Sequence, residues 1–215
     1  MQEADAIYVL DTGSTDNTVE KLKARGAIVK TKIINPWRFE IARNYSLNMV
    51  PEDTDICICT DLDEVLNCGW REILENVWQK NTTRCRYIYN WKLDENNKPL
   101  VSFYYEKIHA RKDYQWIFPV HEILNYNGSE EQWVTTDNII LNHYPDPTKS
   151  RSNYLKLLEL SVKEYPDNDR NYHYLGREYM FHSMWNEAID TLLSHLKMEN
   201  ATWKDERAAS MRFIA

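Results

Sequence analysis

Two short apolar runs end abruptly in acidic clusters, and this pairing constrains the fold more than any other feature of the chain. Ala6-Ile7-Tyr8-Val9-Leu10 stops at Asp11-Thr12-Gly13-Ser14-Thr15-Asp16. Asp55-Ile56-Cys57-Ile58-Cys59-Thr60 stops at Asp61-Leu62-Asp63-Glu64. A continuous apolar run of this length, bounded by turn residues, reads as a strand buried on both faces. Helical patterns lie between the runs. The stretch from Asn17 to Arg25 carries Val19 and Leu22 three residues apart and closes on Gly26 as a C-cap. After Pro36, the residues Phe39, Ala42, Leu47 and Val50 follow helical spacing loosely. Ala27-Ile28-Val29 and Ile33-Ile34 give a second strand region. Both-face-buried strands alternating with helices predict a parallel α/β sheet.

Beyond Arg84 the pattern becomes β-rich. Cys85 to Trp91, Leu100 to Tyr105, Lys107 to Arg111 and Asn138 to Asn142 read as strands, with turns at Asn96-Asn97-Lys98 and Asn127-Gly128. After Pro145-Asp146-Pro147 the pattern is helical to the end. The expected division is therefore a domain over 1–147 and a helical region over 148–215. Within the latter, Tyr172, Leu175-Gly176, Tyr179, Ala188 and Leu192 match the tetratricopeptide pattern, with Pro166 where a preceding repeat ends. A shift of about 34 residues carries Leu175, Gly176 and Tyr179 onto Ala209, Ser210 and Phe213. On that reading the chain stops midway through a further repeat.

Composition removes several function classes. Net charge is −7, against a duplex nucleic-acid binder. With 5 Gly in 215 residues, a glycine-rich phosphate loop is not expected. No apolar run reaches the roughly 18 residues of a membrane span, and Met1-Gln2-Glu3-Ala4-Asp5 is too polar to open a signal peptide. Cys57, Cys59, Cys68 and Cys85 have no metal or redox spacing and read as reduced thiols of a cytoplasmic protein, Cys57 and Cys59 sharing one core face.

The acids that follow the strands are the candidates for chemistry. In open α/β sheets, ligands bind beyond the carboxyl ends of strands. A carboxylate at Asp11 can accept there from a base N–H or a ribose hydroxyl; an ordinary Asx turn is the competing reading. Asp16 is placed to cap the following helix. Alternation puts Asp61 and Asp63 on one side of an extended chain. Two carboxylates there can share a divalent cation, or divide between cation and ribose; the competing reading is a solvated acidic turn.

Taken in order, Asp11 to Thr18, Ala42-Arg43-Asn44 and Asp61-Leu62-Asp63-Glu64 resemble a family 2 glycosyltransferase with the GT-A fold. Val120-His121-Glu122, Leu141-Asn142-His143 and the helical tail resemble the branch of that family that carries tetratricopeptide repeats. The resemblance implies a Rossmann-like α/β sheet followed by a small all-α tail. It implies an additional apolar strand, a small polar turn and a helix ahead of the segment that begins here at Glu3. It implies an inverting, metal-dependent hexosyl transfer from a nucleotide-diphosphate sugar, a UDP-sugar, to a saccharide, lipid-linked glycan or peptide acceptor.

Residue by residue, the resemblance sets Asp11 against the base or ribose and Asp61 against the ribose. Asp63 holds Mn²⁺ or Mg²⁺ on the diphosphate, and His143 completes the metal site, favouring Mn²⁺ because an imidazole joins carboxylates. Thr12 stands where many relatives carry another Asp, which leaves Asp11 alone for base recognition. Arg43 pairs with phosphate or carboxylate, or else forms a helix-surface ion pair. Glu122 is the expected base for the acceptor proton, with His121 and Trp116 positioning substrate. Trp37 and Trp91 are further candidates for stacking on a sugar face. His109, His173, His182 and His195 receive no role. Two other classes compete. One is a non-catalytic GT-A remnant that binds a protein partner through its helical tail. The other is a nucleotidyltransferase, which shares the acidic metal site but usually has a basic, glycine-rich loop.

Overall fold

The structure, a computed structural model, describes residues 3–146 and 154–215. These divide into two compact units. The first takes the described residues within Met1–Asn35, Ala42–Trp116 and Leu124–Lys149, and the second those within Pro36–Ile41, Ile117–Ile123 and Ser150–Ala215. The boundary expected between 147 and 148 lies outside the described residues. The helical unit also includes 36–41 and 117–123, segments whose sequence carries no repeat pattern.

In the first unit, β1 (Tyr8–Asp11) pairs in parallel with β2 (Ile28–Thr31) through α1 (Thr18–Ala24). Helix α1 ends as expected. Gly26 adopts φ +85°, its N–H donates to the Lys23 carbonyl, and the Ala27 N–H donates to that of Leu22. This pair of bonds is a Schellman closure, which a residue without Cβ accommodates without strain. Asp16 accepts the Thr18 N–H at 3.0 Å and so caps the start of the helix from just outside it.

Helix α2 (Phe39–Leu47) leads to β3 (Ile56–Ile58), followed by β4 (Glu64–Leu66) and α3 (Trp70–Val77). The β-rich half follows: β5 (Arg84–Leu93), β6 (Pro99–Ala110), β7 (Tyr114–Ile117), β8 (Ile123–Tyr126) and β9 (Trp133–His143). The β5–β6 turn is tied by Asp94, whose Oδ1 accepts from the N–H groups of Asn96 and Lys98 at 2.8 Å each.

The expected parallel pairing holds for β1 and β2, while the larger sheet is mixed. Five strands run in the order β3-β6-β5-β9-β4, with β5–β9 parallel and the other pairs antiparallel. The reason is local. A tight turn lets β6 fold straight back on β5, and its far end then offers its other edge to β3. Burial of β3 on both faces holds. Ile56 and Ile58 pack toward a core of Trp70, Leu74, Tyr87, Ile108 and Leu141. Cys57 and Cys59 pack toward Leu47, Tyr114, Trp116 and Leu124. All four cysteines are free thiols, and burial pushes those of Cys57 and Cys85 up to about 11.

The second unit contains α4 (Tyr154–Glu164), α5 (Asp169–Phe181), α6 (Trp185–Lys197) and α7 (Lys204–Ile214), with each helix packed on the next. Asn168 caps α5 by accepting the Asn171 N–H. The core of this unit joins Val120 to Leu157, Leu158 and Leu175. Among the described residues no helix is long and apolar enough to cross a membrane.

Candidate functional site

The first unit brings several of the sequence candidates together where β3 ends. The short strand β4 is responsible. It pairs with β9 so that Glu64 stands opposite His143, which sets Asp63, one residue earlier, beside the imidazole. His143 Nε2 lies 3.6 Å from Asp63 Oδ2. Its Nδ1 is 3.1 Å from the carbonyl of Trp91, and the two rings stack at 4.7 Å. A carbonyl can only accept, so Nδ1 carries the proton and the lone pair of the neutral ring sits on Nε2, facing the carboxylate.

Two acceptors cannot hydrogen-bond to each other, and these stand 3.6 Å apart. They do suit one divalent ion, because ligands about 2.1 Å from a shared metal stand roughly 3–4 Å from each other. Holding the outer nitrogen of a ligating His on a carbonyl is the usual way its orientation is fixed. The residues present therefore fit a cation of the Mn²⁺ or Mg²⁺ class, with the imidazole favouring Mn²⁺.

Asp61 is placed differently. Arg43 Nη2 lies 3.0 Å from its Oδ1 and 3.2 Å from its Oδ2, and Lys107 Nζ is 3.7 Å from Oδ2. Among the described residues no Lys or Arg is similarly close to Asp63. The two acids of the Asp-x-Asp pair thus have different surroundings: Asp61 is paired with Arg43 and Lys107, and Asp63 faces His143. Arg43 also donates to Cys59 Sγ and lies over the Trp116 ring at 5.0 Å.

Lys107 and Glu64 have structural roles the sequence reading missed. Glu64 is buried and accepts the Asp61 N–H at 2.8 Å and the Tyr89 hydroxyl at 2.9 Å. Lys107 is buried with its ammonium 3.7 Å from Glu64. Burial and the charge of Arg43 oppose that ammonium, but Tyr105, Asp61 and Glu64 outweigh them, so the group is held above the ordinary lysine range. The available signal was alternation. Tyr105, Lys107 and His109 share one face of β6, and a lysine on a buried face needs anionic partners.

The remaining candidates make other contacts. Asp11 is buried, and its hydrogen bonds stay within its own turn and β2. Oδ1 accepts from Ser14 N–H at 3.1 Å and Oδ2 from Gly13 N–H at 3.3 Å. Hydrogen bonds from the Ser14 side chain, the Ser14 and Gly13 amides and Thr31 hold its carboxyl below the usual range despite burial. The Asx-turn geometry is present, and Asp11 shapes the loop after β1.

Trp116 is buried. Asn44 grips its backbone with bonds of 2.8 and 2.9 Å, so its ring is a platform for Arg43. An exposed stacking face is offered instead by Trp91, which is half exposed beside His143. Trp37 packs edge-on against Phe39. Glu122 and His121 belong to the second unit. Glu122 is half buried, and His121, with φ +50°, stacks on Tyr174 at 4.0 Å.

A cavity of about 540 Å³ in the first unit runs from Ala4 and Asp55 to Arg43 and Thr60. In the helical unit, Asp169, His195 and Glu206 place ligand atoms within 4.8 Å of one another. There Arg170 Nε already donates to Glu206 at 2.9 Å, and the nearby charges of Arg170 and Arg177 disfavour a cation. A comparison with protein-family models finds no match, and a comparison with curated proteins finds none.

Proposed function

We propose that the chain is the α/β part of an inverting glycosyltransferase of the GT-A type, acting on a nucleotide-diphosphate sugar with a tetratricopeptide-like tail beside it. The observation that carries this reading is the Asp63–His143 pair, 3.6 Å apart with its imidazole tautomer fixed by Trp91, next to the neutralised Asp61–Arg43 pair. Asp63 and His143 would hold Mn²⁺ or Mg²⁺, which when bound stabilises the negative charge of a departing diphosphate.

The roles of the protein's own groups follow from their charge. Arg43 and Lys107 are matched by Asp61 and Glu64, so a diphosphate at the end of β3 would be drawn by the bound divalent cation. The carboxylate of Asp61, its charge matched by Arg43 and Lys107, can accept from ribose hydroxyls without adding net negative charge. The exposed Trp91 face offers an apolar platform for a sugar ring. The resemblance makes Glu122 the base: it would take the proton of the acceptor hydroxyl as that oxygen bonds to the anomeric carbon and the bond to the departing diphosphate breaks. The acceptor is a saccharide, lipid-linked glycan or peptide, and the setting is cytoplasmic.

Titration calorimetry with UDP tests the reading. UDP binding strengthens at least tenfold when Mn²⁺ is present, and Asp63→Ala removes that gain because one anionic ligand is lost while the diphosphate charge remains. Asp61→Ala has the smaller effect. Metal-dependent UDP affinity that survives in Asp63→Ala would overturn the metal assignment, and absence of any UDP binding by the parent chain would overturn the donor.

A further inference from the structure

Asn90 ties three strands together in a single row. It pairs with Ser102 of β6 on one side and with Asn142 of β9 on the other. Its Oδ1 accepts from the Ser102 hydroxyl at 2.6 Å, and its Nδ2 donates to Asn142 Oδ1 at 2.7 Å. Asn90 is 5% exposed, so a buried amide uses both its carbonyl and its amine to fix β6 and β9 against β5. The middle residue of Leu141-Asn142-His143 thereby acquires a partner.

The register changes at the next residue. Asn90 pairs with Ser102 and Lys92 with Val101, so Trp91 is an extra residue on β5. A bulge of this kind takes one residue out of the ladder with the partner strand and re-aims its groups. Alternation puts the Asn90 side chain on the face opposite that of Tyr89. The rings of Tyr89, Trp91 and His143 gather on the Tyr89 face, where the Trp91 carbonyl stands 3.1 Å from His143 Nδ1.

That carbonyl and Asp63 compete for one proton, because a neutral imidazole carries a single N–H. On Nδ1 the proton meets the Trp91 carbonyl. On Nε2 it would meet Asp63 Oδ2, which lies 3.6 Å away and, as a carboxylate, is the stronger acceptor. The first tautomer leaves two lone pairs facing each other, open to a cation. The second closes the pair on itself through a hydrogen bond. The weaker acceptor keeps the proton only while strand geometry holds it nearer.

We infer that Asn90 is a positioning residue for the His143 imidazole. By pinning Ser102 and Asn142 beside the bulge, it holds the Trp91 carbonyl on Nδ1 and keeps the Asp63–His143 pair open to a divalent cation. The use of the open pair rests on the metal reading above; the tautomer does not.

The test reads tautomer and metal separately. Long-range proton–nitrogen NMR on the isotope-labelled chain shows which ring nitrogen carries the proton, at a pH of about 8.5 where an unperturbed imidazole is neutral. The His143 signals are those lost in His143→Gln. The parent chain is expected to show Nδ1–H. Asn90→Leu is similar in size and removes both hydrogen bonds. It should move at least half of the population to Nε2–H and weaken Mn²⁺ binding, measured by calorimetry, about tenfold or more, the usual scale for losing a partner behind a ligating histidine. Ser102→Ala, at an exposed position, removes one bond and should shift the tautomer less, in the same direction. Ser102→Thr keeps the hydroxyl and should match the parent. An Asn90 that only supports the fold would lower stability and leave Nδ1–H in place, which overturns the inference. An Nε2–H tautomer in the parent chain also overturns it. Where Asn90→Leu fails to fold, Ser102→Ala decides, and a parent-like spectrum there overturns the inference. A parent chain that binds no Mn²⁺, with the tautomer change present in Asn90→Leu, would remove the metal reading and leave the positioning role standing.

Discussion

Lys107 shows how a single buried charge organises the end of β3. Its ammonium touches two carboxylates at 3.7 Å, while Glu64 has further partners in the Tyr89 hydroxyl and the Asp61 N–H. Lys107→Met keeps the side chain's length and removes its charge, which leaves Glu64 buried as an uncompensated anion. Breaking a buried pair from one side costs about 3–5 kcal/mol; the other two donors to Glu64 put the expected loss near the lower end. Glu64→Gln in the same chain should recover part of it, because the amide still accepts and carries no charge. Urea unfolding of the two single variants and the double variant measures this. If Lys107→Met loses nothing and the double variant shows no coupling, the charge network does not hold the acidic turn in place.

At the level of elements, the contact between α5 and α6 depends on an absent side chain. A Cβ built on Gly176 would sit 2.5 Å from Leu192 Cγ and 2.7 Å from its Cδ2, and Leu192 is fully buried. Gly176→Ala therefore sets two effects against each other. Alanine gains about 1 kcal/mol in helix propensity, and overpacking a side chain with no room to move costs about 1–3 kcal/mol. The clash is expected to win, lowering the thermal midpoint of the helical unit by a few degrees. A raised midpoint would mean that α5 and α6 separate easily. The sequence marked this contact through Leu175-Gly176, Ala188 and Leu192. It did not mark β4, whose three residues carry no alternation and whose pairing with β9 brings Asp63 to His143.

For the molecule as a whole, acid is the expected weakness. Each unit buries a histidine that is neutral when folded. Burial, first of all, pulls His109 from 6.5 to about 4, helped by the charges of Arg84 and Arg111 and opposed by the Ala110 carbonyl. Burial likewise pulls His173 to about 4, together with His195, Arg177 and Arg170. His109 Nε2 is buried without a hydrogen-bond partner, so a proton there has nothing to receive it. Between the unfolded and folded pKa the unfolded chain binds more protons, so stability falls as pH drops from about 6.5 toward about 4 and changes little above that window. Each histidine contributes up to about 1.4 kcal/mol per pH unit within it. Urea midpoints at neutral and mildly acidic pH measure the slope, and His109→Phe should flatten it for the first unit. An unchanged slope in that variant would assign the acid sensitivity to carboxylates.

What the sequence determined by itself was local. The apolar run of β1, the Gly26 closure of α1, the Asp94-anchored turn and the small-residue contacts of the helical tail all depend on residues near one another in the chain. Backbone sterics and side-chain period are enough to specify them. The direction of the sheet and the partners of the acids were decided only by tertiary structure. β6 reaches β3 because a hairpin folds back before a crossover can form, and that pairing puts Lys107 against Asp61 and Glu64. β9 returns from a distant part of the chain to set His143 beside Asp63. A run of acids reads the same in sequence whether its charges are matched or not. Which carboxylate meets cations and which faces the imidazole depends on residues distant in the chain, brought within 4 Å by strand pairing and, for Arg43, by helix α2.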